Sequence, residues 1–230
     1  MKTRSVLVLA LAAALAAGSL LPAEAAKKSK PTVVGTDAAD DWGNNVDPTI
    51  APAGDAMGSE LVEASIGMAD TKTVNFIIKV KSLPPVGGTP EFIRYVWTVM
   101  VDGDLLQIDG KFTNYSRGAC DPTAGTCPPP RDPGSAPFSV RANCTDNGGA
   151  AVTCEEVGLV HGTFDTAAGT ITVPVSLEML GAKPGSRIEH GTQPGSNFSG
   201  VWAIPSAFFS QADMPKDEML LSKAFVVPKR

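Results

Sequence analysis

From Phe92 to Val101 the chain is apolar on both alternating faces. Phe92, Val96 and Met100 fall on one, and Ile93, Tyr95, Trp97, Val99 and Val101 on the other. A strand of that kind is covered on both sides and belongs in the middle of a sheet. Asp102-Gly103 follows, then an arm through Phe112 with Leu106, Ile108 and Phe112 on one face and Gln107, Asp109 and Lys111 on the other. An Asp-Gly pair between apolar runs predicts a type I′ hairpin, because both central residues of that turn need positive φ. The second arm is expected to be half exposed.

The same alternation marks further strands. Leu61–Met68 places Val62, Ala64, Ile66 and Met68 on one face, and Thr73–Leu83 turns Val74, Phe76, Ile78 and Val80 inward. Phe138–Cys144 and Ala150–Glu155 flank the turn TDNGGA. Residues 162–165 and Thr170–Val175 flank TAAG, and Ser222–Val227 is a last strand. Helix signals are few. SLEMLG reads as one short helix ended by Gly181, and Pro205–Leu221 as one helical turn or irregular chain. The class is therefore all-β, an antiparallel β-sandwich, jelly-roll-like, with one or two short helical turns.

Composition adds a compartment. Lys2 and Arg4 precede a uniformly apolar run from Ser5 to Leu21, and Pro22-Ala23-Glu24-Ala25 ends in an A-x-A pattern. This predicts an export signal over residues 1–25, a tether over 26–46 that includes a short edge strand near Thr32–Val34, and a domain over 47–230. Cleavage there moves the net charge from −5 to −6, which argues against nucleic acid or an anionic membrane surface as partner. A secreted or extracytoplasmic monomer is expected. Four cysteines in an exported chain read as two disulfides. Cys120–Cys127 and Cys144–Cys154 are the favoured pairing, since each closes a short local loop. Zinc is disfavoured by spacings of C-x6-C and C-x9-C.

Candidate chemistry is concentrated in loops. Between Pro31 and Thr71 there is no Lys or Arg but there are eight acids. Calcium takes six to eight oxygens at such places, and Asp47, Asp55 and Glu60 are the candidate ligands. Trp42, Tyr115 and Trp202 lie in or beside loops and are candidates for stacking on a sugar ring. No nucleophile elbow G-x-S-x-G, no H-E-x-x-H and no phosphate-binding glycine loop occurs, and His161 and His190 stand apart in the chain.

The segments DPTIAPAGDAMGSELVEASIGMADTKTVNFIIKVKSLPP, RYVWTVMVDGDLLQI and GTFDTAAGTITVPVSLEMLGAKPGSRI together resemble secreted bacterial β-sandwich domains, the family 9 carbohydrate-binding modules and DOMON-like sandwiches. The resemblance implies a sandwich with a binding role, with the acids of the first loop on calcium, and it implies no catalytic residue. The expectation is thus a non-catalytic exported module for an extracellular glycan or cell-envelope component. The alternatives are a structural envelope protein without a small ligand, or a secreted hydrolase with an unrecognised site.

Overall fold

The computed structural model describes residues 30–37, 60–83, 92–113, 135–146, 152–192, 200–205 and 217–229. Among them are twelve strands and no helix, so the all-β expectation holds. In chain order they are β1 (Thr32–Thr36), β2 (Leu61–Met68), β3 (Thr73–Val80), β4 (Phe92–Val101), β5 (Asp104–Thr113) and β6 (Ser135–Asp146). Then come β7 (Val152–Asp165), β8 (Thr170–Ser176), β9 (Arg187–His190), β10 (Gly200–Pro205), β11 (Asp217–Met219) and β12 (Phe225–Val226). The expected export signal over 1–25 lies outside the described residues.

Every described pairing is antiparallel, and the strands form one sheet in the order β1-β2-β3-β8-β7-β6-β5-β4-β10-β11, with β9 pairing both β4 and β12. Two separate facing layers, as a sandwich requires, are not what this ladder draws. The sheet rolls until its ends meet, close to a barrel. Leu61 of β2 donates its N–H to Asp217 of β11, and Val34 of β1 accepts the N–H groups of Ser222 and Lys223 just beyond β11. The reason for rolling is the patterning. Val74, Phe76, Ile78, Val80, Ile93, Tyr95, Trp97, Val99, Ile171, Val173 and Val175 all fall on one face and bury together, and a sheet apolar on one face must cover it. Phe76 and Trp97 show the closure directly. Their strands are five positions apart in the sheet order, yet the rings meet edge to face at 5.3 Å across the interior.

The Asp102-Gly103 turn is as expected, with φ of 51° and 102°, and β4 and β5 pair residue for residue from Phe92↔Thr113 to Val101↔Asp104. Other expectations change. Gln107 and Asp109 are buried, so β5 is not half exposed. A bulge between Leu61 and Glu63 lets Leu61 and Ala64 both reach the core, against a simple alternation. The short edge strand expected near Thr32–Val34 is present as β1, paired with β2 and with Val34 in the core. Residues 152–155 of the expected Ala150–Glu155 strand and residues 162–165 belong to one strand, β7, and Asp217–Met219 is strand where a helical turn or irregular chain was expected.

The short helix before Gly181 is reduced to one capped turn. Ser176 Oγ accepts the N–H of Met179, Ala182 N–H bonds to Leu177 O, and Gly181 N–H bonds to Glu178 O. That double bond is a Schellman closure, which requires the positive φ of 62° that Gly181 adopts. Start and stop signals fall too close together for a second turn.

Candidate functional site

Two polar constellations stand out, one on the outside of the sheet and one where its ends meet. The first is built on β4, β5, β6 and β10. Alternation turns Arg94, Val96 and Thr98 of β4 outward, and the cross-strand register sets Trp202 of β10, Asp109 of β5 and Ser139 of β6 in line with Val96. Arg94 lies one step to one side of Asp109 and Arg141 one step to the other, both on diagonals that long side chains can span. Arg94 Nε donates to Asp109 Oδ1 at 2.7 Å and its Nη2 pairs with Oδ2, a forked ion pair. Arg141 Nη1 is 3.6 Å from the same Oδ2, beyond hydrogen-bond reach. Arg94 also stands over the indole of Trp202, its Cζ 5.2 Å from the ring centroid, a cation–π contact.

Asp109 is 8 % exposed and Trp202 2 %, while the Arg141 side chain keeps 37 %. Thr98, Gln107 and Ser139 on the same outer face are buried as well. Outward positions of a sheet usually meet water, so a buried polar stripe there is unusual, and each such group needs a hydrogen-bonding partner. Of the ring residues expected to stack on a ligand, Trp202 therefore sits within this stripe beneath Arg94. Trp42 and Tyr115 lie outside the described residues.

The second constellation joins three acids from distant parts of the chain: Asp37 just past β1, Glu60 just before β2, and Asp217 opening β11. Leu61 N–H donates to Asp217 Oδ2 at 2.5 Å, and the Asp217 carboxyl is hydrogen-bonded to that of Asp37, which requires a proton between them. Burial pushes the Asp217 carboxyl up. The Leu61 N–H opposes this, the charges of Asp37 and Glu60 add to it, and the group ends at about 8. Glu60 and Asp217 are 2 % and 4 % exposed. The structure thus places Glu60, one of the three expected calcium ligands, beside Asp37 and Asp217. Asp47 and Asp55 lie outside the described residues. Among the described residues no group of three His, Cys, Asp or Glu is set to hold a metal ion.

Cys144 and Cys154 form a disulfide across the β6–β7 hairpin, as expected. Cys120 and Cys127 lie outside the described residues. Imidazole His161 is exposed on β7, while His190 Nδ1 accepts the N–H of Leu221.

Sequence reasoning assigned no site role to Arg94, Asp109, Arg141, Asp37 or Asp217. The first two were within reach, since the Asp-Gly turn fixes the β4–β5 register and so puts Asp109 diagonal to Arg94. No family model, no curated protein and no solved structure matches this chain.

Proposed function

We propose that this chain is an exported, non-catalytic domain that binds an extracellular glycan at Arg141, where the otherwise buried outer face of β4, β5 and β6 reaches solvent. The observation that carries this reading is the Arg94–Asp109–Arg141 arrangement beside Trp202. Sugar hydroxyls come in adjacent pairs that suit the forked geometry of guanidinium and carboxylate, and a ligand site needs a few placed polar groups of this kind among apolar ones. Arg141, partly exposed and not hydrogen-bonded to Asp109, is the group that meets the ligand. Arg94 and Asp109 hold the face in shape.

Calcium belongs to this reading through Asp47, Asp55 and Glu60. In its favour, the charged groups that act on Asp217 beside Glu60 are both acids, and a hard cation relieves their repulsion. The experiment is retention of the exported protein on a panel of insoluble polysaccharides, with calcium and with EDTA. Retention on one of them, lost in Arg141→Ala, is the result expected. Passage through all of them removes the glycan reading, and equal melting temperatures in calcium and EDTA remove the metal.

A further inference from the structure

β7 is the longest strand, yet its two sides are unequally used. Towards β6 it pairs from Val152 to Thr163. Towards β8 only Thr163, Phe164 and Asp165 are paired, with Thr172, Ile171 and Thr170. Continuing that register would set Pro174 opposite His161. Proline has no N–H to give, and the rest of β8 stays paired with β3. Residues 152–162 of β7 therefore have no strand partner on that side among the described residues.

Such an edge is a template for another strand unless guarded. Here the guards are Glu155 and Glu156, both exposed, and a register shift opposite Val140–Arg141. Between the acids and His161, Val157 is 45 % and Leu159 62 % exposed, two of the four large apolar residues that stand out in solvent among the described residues. The segment thus reads acid, apolar, imidazole along its length. An antiparallel copy of the same segment reads imidazole, apolar, acid. Laid side by side about Gly158, Glu155 of each chain falls opposite His161 of the other, and Val157 of each falls opposite Leu159 of the other. An isologous two-fold contact requires this self-complementarity.

We infer that β7 pairs edge to edge with β7 of a second copy of this chain, in place of the monomer expected from the sequence. An unrelated strand finds two carboxylates in its path, whereas the same chain brings a donor to meet them.

Sedimentation of the exported protein over a wide concentration range tests this. The average mass should rise towards twice the chain mass. Leu159→Lys should hold it at one chain mass, with the melting temperature of the parent at dilutions where the parent is monomeric, since that side chain is already in solvent in the single chain. Amide exchange across residues 155–161 should slow as the dimer fills. A single-chain mass at every concentration overturns the inference, and so does a dimer that survives Leu159→Lys with those amides unprotected.

Discussion

Leu61 and Asp217, 156 positions apart in the chain, are joined by a hydrogen bond from the Leu61 amide to the Asp217 carboxyl, and this bond helps to fasten the two ends of the rolled sheet. The same carboxyl is buried beside the acids Asp37 and Glu60 and lies at about 8 instead of the ordinary 3.8. A group whose folded pKa is raised holds its proton longer in the folded state. Its contribution is therefore complete below pH ~4 and is lost as pH climbs through about 8. In EDTA the melting temperature should fall between pH 5 and 8 and level off above. Asp217→Asn keeps an acceptor for Leu61 and offers a donor to Asp37 without a titrating proton. It should flatten the profile and raise the melting temperature at pH 8 by several degrees, on the order of a few kcal/mol. A profile identical to the parent's would show that this carboxyl does not hold the ends together.

Phe138 lies flat between two glycines. A Cβ on Gly110 of β5 would come within 2.3 Å of the ring, and one on Gly162 of β7 within 2.5 Å. An aromatic laid across glycines fills their missing side chains, and the space has no slack. Gly110→Ala and Gly162→Ala should each cost about 1–3 kcal/mol through overpacking, read in urea unfolding. Phe138→Leu together with Gly110→Ala should recover part of the loss.

The Cys144–Cys154 bridge closes a loop with a sequence separation of 10. Loop-closure entropy gives it about 3 kcal/mol. Cys144→Ala with Cys154→Ala should lower stability by that order in chemical unfolding, while the pairing of β4 with β5 is retained. Unchanged stability would mean that the hairpin needs no cross-link to hold its register.

Asp109 and Arg141 should separate under mutation. Removing a carboxylate that is nine-tenths buried leaves Arg94 without its ion-pair partner. Asp109→Ala should therefore destabilise by about 3 kcal/mol, the lower end for a buried pair because Arg94 keeps some solvent. Arg141→Ala, at a side chain more than a third exposed, should change stability by no more than about 0.5 kcal/mol. Thermal unfolding of the two variants checks both, and equal losses would contradict the division of roles on this face.

Much of the architecture was legible in the chain because its signals are local. Strand period, the Asp-Gly turn and the β3 inward set Val74, Phe76, Ile78 and Val80 depend on neighbours in sequence, and all appear as read. The rolled sheet was not legible, since it depends on β11 reaching β1 and β2 across most of the chain. Nor was the short β10, which carries Trp202, a residue expected in or beside a loop. Of the acidic stretch's three expected calcium ligands only Glu60 is among the described residues, and it lies beside other acids. Its described companions are Asp37, from the same acid-rich stretch, and Asp217, far away near the end, which composition within that stretch could not supply.

The most direct measurement is the binding of the protein to polysaccharides, compared with that of Arg141→Ala. Retention on at least one polysaccharide, abolished by Arg141→Ala while the melting temperature stays as in the parent, is the result predicted. Retention on none, or retention that Arg141→Ala leaves intact, would contradict a glycan-binding face on the outside of β4, β5 and β6.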